Sequence, residues 1–303
     1  MIELENVSKT YISLFRSRRV EALAGLTLSV ARGEVFGIAG PNGAGKSTML
    51  SILLGYLRPT AGQARLDGHH PRRYVEQSGV SYLTELVSIP PRWNLESALF
   101  RYAALSNLPR HVARERVALA METLGLAEHR KKQVRQLSKG NLQRLGIAQA
   151  LLADSDLVIF DEPTHGLDPV WTQKFRDIVT ELRRPSRTIL IASHNLDELE
   201  RLADRVGIMS QGRLQRIVTA GGAHTGGAYR LVLAQPVPGL AEAFADAITV
   251  EGRANEYRVS GTLEELNERL GRLLASGATI AAFYPEQSRL ETEFRAAVKD
   301  SGP

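Results

Sequence analysis

A nine-residue stretch, GPNGAGKST at residues 40–48, constrains this chain more than any other feature. It fits the pattern G-x-x-x-x-G-K-[ST], follows the apolar run EVFGIAG (34–40) and precedes the apolar run STMLSILLGYL (47–57). Glycines allow backbone N–H groups to turn inward around phosphate oxygens, and the N-terminus of a helix adds partial positive charge. The stretch therefore predicts a buried strand, a phosphate-binding loop and a helix, in that order.

Two side chains of this loop have a direct chemical use. Lys46 can reach the β- and γ-phosphates of a nucleotide, and the Ser47 hydroxyl can be a ligand of Mg²⁺. A glycine turn without a ligand is the alternative, and the strand and helix on either side disfavour it. We expect the whole loop to contact nucleotide, namely Gly40, Pro41, Asn42, Gly43, Ala44, Gly45, Lys46, Ser47 and Thr48.

A second apolar run, LVIFDEP (157–163), ends in two carboxylates. Ligands of an open α/β sheet bind at the carboxyl ends of the strands, so these carboxylates are expected beside the phosphate loop. Asp161 would bind Mg²⁺, usually through water, and Glu162 would orient or deprotonate an attacking water. Residues TILIAS (188–193) predict another buried parallel strand, followed by His194.

The segment LSKGNLQR (137–144) predicts a second helix start that can hold an anion. Ser138 is a good N-cap, and Gly140 leaves backbone N–H groups uncovered. From this segment alone, a capped structural helix is the favoured interpretation, and phosphate binding is the alternative.

Composition narrows the class of protein. The 303 residues are 43% hydrophobic, which is enough to fill a core and argues against disorder. There is no cysteine, which rules out disulfides and thiolate metal sites. The net charge of +5 suits an anionic ligand but is too small to predict nucleic-acid binding. We find no secretory signal and no run near the ~18 apolar residues that a membrane span needs.

The chain divides into two predicted domains. Residues 1–219 form the first, with residues 2–11 as an edge strand paired to residues 22–30, a mainly helical insert at about 86–140, and a hairpin turning at Gln211 and Gly212. The glycine-rich segment 220–228 predicts a linker. Residues 229–303 follow the order βαββαβ with a trailing helix, which predicts a small α+β ferredoxin-like domain.

Together, GPNGAGKST, LSKGNLQR and LVIFDEP resemble, in order, the Walker A, signature and Walker B motifs of ATP-binding cassette (ABC) ATPases. The resemblance covers the first 219 residues and implies an α/β P-loop NTPase of ABC type, with a RecA-like core sheet, an antiparallel β subdomain and a helical subdomain. It also implies that Tyr11 stacks on adenine, that Glu85 is the Q-loop residue near the metal, that Asp168 belongs to the D-loop and that His194 senses γ-phosphate.

The resemblance also implies partners. In that family the signature segment, here Ser138, Lys139 and Gly140, binds the γ-phosphate of ATP held by a second cassette. The resemblance implies a cassette dimer that uses ATP and Mg²⁺. It also implies that this dimer lies at the cytoplasmic face of a membrane and drives a separate permease chain. PEQSRLETEF (285–294) resembles the segment that ends many ABC-2 exporter cassettes, which favours export.

Three positions depart from the family pattern. Lys139 replaces the first glycine of LSGGQ, Asn141 replaces its glutamine, and Glu85 stands where glutamine is more usual. We interpret His165, inside DEPTHGLDP, as a surface variant of its loop.

Two other classes of protein remain possible. A soluble ABC ATPase that acts on ribosomes or DNA would usually carry a second cassette, coiled-coil inserts or zinc ligands, which this sequence lacks. A P-loop kinase would lack the signature segment.

Overall fold

The computed structural model describes residues 1–12, 19–220, 227–237, 240–250, 253, 255–285 and 289–299. Most of the predicted linker at 220–228 lies outside these ranges. The chain divides into two compact units, Met1–Gly221 with Glu293–Pro303, and Gly222–Thr292.

A six-stranded sheet is the centre of the first unit. Its spatial order is β5-β6-β7-β3-β8-β9, with all neighbours parallel except the β8–β9 hairpin. The bounds are β3 (Val35–Ala39), β5 (Ser81–Leu83), β6 (Leu157–Asp161), β7 (Thr188–Ser193), β8 (Arg205–Ser210) and β9 (Arg213–Thr219). Every residue of β3, β6 and β7 is buried, as their continuous apolar sequences predict.

The first unit also contains a three-stranded antiparallel sheet. It consists of β1 (Ile2–Ile12), β2 (Arg19–Val30) and β4 (Ala61–Leu66). The pairing of β1 with β2 is as predicted, but the prediction that β1 is an edge strand is wrong. The spatial order is β2-β1-β4, so β1 is the central strand and hydrogen-bonds on both sides.

The described residues 46–202 of the first unit contain seven α-helices. Their bounds are α1 (Lys46–Leu53), α2 (Pro71–Ser78), α3 (Leu95–Leu105), α4 (Arg110–Thr123), α5 (Lys139–Leu151), α6 (Pro169–Leu182) and α7 (Leu196–Leu202). Helices α3 and α4 confirm that the insert is mainly helical. The core packs α1 through Met49, Leu50 and Leu53, and an edge-to-face contact joins Phe160 of β6 to Phe175 of α6.

The second unit has the order of elements that the sequence predicts. It contains β10 (Gly227–Leu233), α8 (Leu240–Ala243), β11 (Ile248–Thr249), β12 (Glu256–Gly261), α9 (Leu263–Ala275) and β13 (Ile280–Pro285). Helix α10 (Arg289–Lys299) follows in sequence, and its residues from Glu293 onwards belong to the first unit. The antiparallel order β11-β12-β10-β13 is that of a ferredoxin-like sheet. Leu231, Phe244, Val259, Leu266 and Leu273 form its core.

Among the described residues, no helix combines the length and apolar character needed to cross a membrane.

Candidate nucleotide site

Four neighbouring parallel strands deliver the predicted site residues to one edge of the core sheet. Strand β3 leads into Gly40, β6 ends at Asp161, β7 ends at Ser193 and β5 runs towards Glu85. Because these strands are adjacent and parallel, their carboxyl ends meet at the same edge. The sheet therefore brings together groups that lie far apart in the sequence.

The phosphate loop has an open backbone nest at the start of α1. Gly43 and Gly45 have φ values of 81° and 102°, in the region that favours glycine. A Cβ added to Gly43 would meet nothing within 4 Å, whereas one added to Gly45 would lie 2.6 Å from the carbonyl oxygen of Ala22. The loop is thus packed against β2 on one side and open on the other.

Lys46 lies over this loop. Its Nζ donates hydrogen bonds to the carbonyl oxygen of Gly40 at 2.6 Å and to that of Pro41 at 3.4 Å. The side chain is buried, and Ser47 beside it is exposed at the first turn of α1. The ammonium group is therefore held where a phosphate in the nest would meet it.

Asp161 is a buried carboxylate in a field of like charge. Burial raises its pKa to about 6, the negative charges of Glu85 and Glu162 add to this rise, and the positive charge of Lys46 opposes it. Glu85 is exposed, yet it lies close enough to influence Asp161. A cation placed here would be stabilised by both carboxylates.

The chemistry of these donors fits Mg²⁺. A hydroxyl at Ser47 and a carboxylate at Asp161 are oxygen ligands of the kind that Mg²⁺ prefers. No group of three or more His, Cys, Asp or Glu residues in the described part of the chain could hold a metal ion alone. The donor set therefore suits an ion whose remaining ligands are phosphate oxygens and water.

Glu162 is held by a network at the end of β6. Its carboxylate accepts hydrogen bonds from the backbone N–H of His194 at 3.0 Å and from the Ser193 hydroxyl at 3.2 Å, and His194 Nδ1 lies 2.8 Å away. Glu162 is 7% exposed and has a φ of 49°, unusual for a residue other than glycine. The network fixes the carboxylate and leaves the His194 ring largely exposed.

The second predicted helix start is capped as expected. The Ser138 hydroxyl accepts the N–H of Asn141 at 3.2 Å at the start of α5. A Cβ on Gly140 would lie 3.2 Å from the carbonyl oxygen of Gly166, so the start of α5 approaches the loop after β6.

Lys139 also contacts this loop. Its Nζ lies 2.6 Å from His165 Nε2, and its aliphatic carbons would lie 3.0 Å from a Cβ on Gly166. His165 is exposed, as its interpretation as a surface variant of the loop predicts, and it is also the partner of Lys139.

Asp168 has a structural role that the sequence analysis did not predict. Its Oδ1 accepts the N–H of Trp171 at 2.9 Å, which makes it the N-cap of α6. Trp171 in turn stacks on the Arg144 guanidinium of α5, with 3.9 Å between the guanidinium carbon and the ring centroid. The contact ties α6 to the helix that Ser138 begins.

Tyr11 lies at the end of the antiparallel sheet nearest the phosphate loop. It pairs with Val20, two residues before the Ala22 carbonyl that packs against Gly45. Tyr11 is 42% exposed, and Lys9 Nζ lies 5.6 Å from the centroid of its ring. The position gives an exposed aromatic side chain on the strand that pairs with β2.

Part of this chain is similar in sequence to known proteins. Residues 23–165 match the protein family described as ABC transporter. The uncharacterized ABC transporter ATP-binding protein all4389 of Nostoc sp. is 41% identical over 219 residues, which cover 70% of this chain and 63% of that protein. The lantibiotic transport ATP-binding protein SrtF of Streptococcus pyogenes is 33% identical over 215 residues, covering 71% of this chain and 89% of SrtF. This chain thus spans less than two thirds of the Nostoc protein's length.

A solved structure shares the fold of the first unit. The ATP-binding cassette MJ0796, in a dimeric post-hydrolysis state bound to ADP and Pi, matches with a TM-score of 0.67 at 23% sequence identity. The match covers 73% of this chain and 100% of that one.

Proposed function

We propose that this chain, which belongs to the ABC transporter family, hydrolyses ATP to drive transport by a separate membrane permease. The observation that carries the proposal is the meeting of the Lys46 nest with Asp161, Glu162 and His194 at one sheet edge. The site thus combines a phosphate cradle, a carboxylate for metal and a candidate base.

The reaction we propose is attack of water on the γ-phosphorus of ATP. The new bond joins the water oxygen to phosphorus, the bond from phosphorus to the ADP oxygen breaks, and Glu162 takes the proton of the water. Lys46 and His194 stabilise the charge of the γ-phosphate, and Tyr11 stacks on adenine. Bound Mg²⁺, held by Ser47 and Asp161 with Glu85 nearby, would neutralise charge on the phosphate oxygens.

We propose that two cassettes work as a pair, most simply two copies of this chain. The start of α5, with Ser138, Lys139 and Gly140, would complete the site of the other copy, and Asp168 would lie between the two sites. Ser138 and Lys139 are both exposed, which supports this pairing because residues at the surface can reach a ligand outside their own chain. ATP then acts as a ligand that stabilises the closed pair, and hydrolysis releases it.

The proposed setting is the cytoplasmic face of a membrane, beside a permease chain and without nucleic acid. Export is favoured because residues 285–294 resemble the end of exporter cassettes. We assign residues 1–219 to the nucleotide-binding domain, about 86–140 to its helical subdomain and 229–303 to an accessory domain.

The test is purification of the tagged full chain from detergent-solubilised native membranes, with mass spectrometry of the proteins recovered and an untagged strain as control. We expect a polytopic membrane protein in near-equal amount. Recovery of ribosomes or DNA-processing proteins, with the chain in the soluble fraction, would instead indicate a soluble ABC ATPase.

A further inference from the structure

Helix α5 is joined to the backbone of Glu162 by one buried side chain. Gln143 is 6% exposed, and its Nε2 donates to the carbonyl oxygen of Pro163 at 2.9 Å and to that of Glu162 at 3.2 Å. The side-chain amide of Gln143 therefore binds two successive carbonyl oxygens, those of Glu162 and Pro163, in the turn that follows β6.

The backbone of that turn adopts a conformation that requires stabilising contacts. Glu162 has a φ of 49°, which is disfavoured for a side chain with a Cβ. Its N–H donates to Ala192 at 2.8 Å, and its carbonyl oxygen also accepts the N–H of His165 at 3.1 Å. The direction of the Glu162 carboxylate depends on this backbone conformation, so the groups that bond to the backbone also aim the carboxylate.

Packing alone does not require an amide at position 143. A buried leucine of similar size would fill the same space without needing hydrogen-bond partners, whereas a buried amide is tolerated because it is bonded. Gly146, one turn later in α5, approaches the Glu85 segment: a Cβ there would lie 2.5 Å from Val87. Helix α5 is thus packed on two loops of the site through separate residues.

We infer that Gln143 is a positioning residue that aims Glu162 and links the two ATP sites of a cassette pair. The inference rests on the proposed function, in which the start of α5 binds the ATP of the other copy. A displacement of α5 on that ATP moves Gln143, and Gln143 moves the turn that carries the base of its own site. Binding of ATP at one site is therefore coupled, through α5, to the orientation of Glu162 at the other site.

The test compares Gln143→Leu, Gln143→Glu and a matched control, Gln149→Leu, in the same helix, all in the full-length chain. For each variant we would measure kcat and KM for ATP, the Hill coefficient, ATP affinity by fluorescence titration and Tm. We expect Gln143→Leu to lower kcat by about ten- to a hundredfold with near-normal ATP affinity, because a misaimed base slows the chemical step. We also expect its Hill coefficient to fall towards 1, with Gln149→Leu unchanged.

The glutamate variant supplies a readout that a packing role would not move. A carboxylate cannot donate to two carbonyl oxygens, but its protonated form donates to one. The kcat of Gln143→Glu relative to the wild type should therefore recover as the pH is lowered, whereas that of Gln143→Leu should not. This variant also decides the matter if Gln143→Leu does not fold.

Three results would overturn the inference: wild-type kcat in Gln143→Leu, an equal loss in Gln149→Leu, or a pH-independent ratio for Gln143→Glu. Absence of ATP hydrolysis in the wild-type chain would instead contradict the proposed function, so the two failures are distinguishable.

Discussion

His194 Nδ1 lies 2.8 Å from Glu162 Oε2, so the candidate base and the candidate γ-phosphate sensor are bonded to each other across β6 and β7. The bond joins the largely exposed imidazole to a buried carboxylate. A phosphate that contacts His194 can thereby influence the carboxylate that we propose as the base.

Replacing His194 should separate binding from chemistry. We expect His194→Ala to lower kcat by about a hundredfold, because Glu162 loses an orienting partner and the phosphate loses a contact. ATP affinity should change little, since the nest and Lys46 remain. Steady-state kinetics with His69→Ala, an exposed histidine, as control would check this, and an unchanged kcat in His194→Ala contradicts the assigned role.

Replacing Lys46 should weaken nucleotide binding. Hydrogen bonds to charged groups contribute about 1.5–3 kcal/mol, so Lys46→Ala should raise the Kd for ATP by about ten- to a hundredfold. Calorimetric titration measures it, with Lys131→Ala as control because Lys131 is exposed on the helical insert. Equal ATP affinity in both variants would show that Lys46 does not contact phosphate.

Asp161 should make the nucleotide-free protein pH-sensitive. Its raised folded pKa, about 6 against 3.8, means that protonation stabilises the fold below pH 3.8 and that this contribution is lost as pH rises through 6. At pH 7.5 the buried charge lowers the free energy of unfolding by about 3 kcal/mol, and at pH 5 it lowers it by about half of that. Asp161→Asn should therefore raise Tm at pH 7.5, and the gain should shrink at pH 5.

Thermal unfolding at the two pH values tests the Asp161 prediction, with Glu115→Gln, an exposed residue of α4, as control. A lower Tm for Asp161→Asn at pH 7.5 would contradict the prediction, because it would mean that the ionised carboxylate stabilises the folded protein. Binding of Mg²⁺ with ATP should weaken in the same variant, because a metal ligand is lost.

Lys139 and His165 should act as a unit. Their nitrogens lie 2.6 Å apart, so removing either should have much the same effect as removing both. For an exposed pair we expect Lys139→Ala and His165→Ala each to raise KM for ATP about two- to fivefold, and the double variant to raise it no further. If the rise in KM of the double variant equals the product of the rises in the two single variants, the two residues are not coupled and the prediction is wrong.

The sequence predicts the elements whose signals are local. The phosphate loop, the buried strands β3, β6 and β7, the Ser138 cap and the βαββαβ order each follow from a short run of residues. The central position of β1 could not be predicted in this way, because alternation in β1 does not show that β4 pairs with its second edge. Strand β5 was not predicted either, since only three residues pair with β6.

The site shows the same division between local and distant signals. Asp161, Glu162 and His194 follow from motifs, but the bond between Glu162 and His194 depends on the adjacency of β6 and β7. Gln143 and His165 gave no signal of their own, because their partners are backbone carbonyls and a side chain in other segments. Such pairings appear only when the chain is folded.

The central claim is that ATP pairs two cassettes and that Glu162 catalyses the step that separates them. The most direct measurement is the mass of Glu162→Gln by size-exclusion chromatography with light scattering, with and without ATP. We predict twice the 33.3 kDa chain mass with ATP, a single chain without it, and an ATPase rate lowered by about a hundredfold or more. A variant that stays at 33.3 kDa with bound ATP, or hydrolyses ATP at the wild-type rate, would contradict the account.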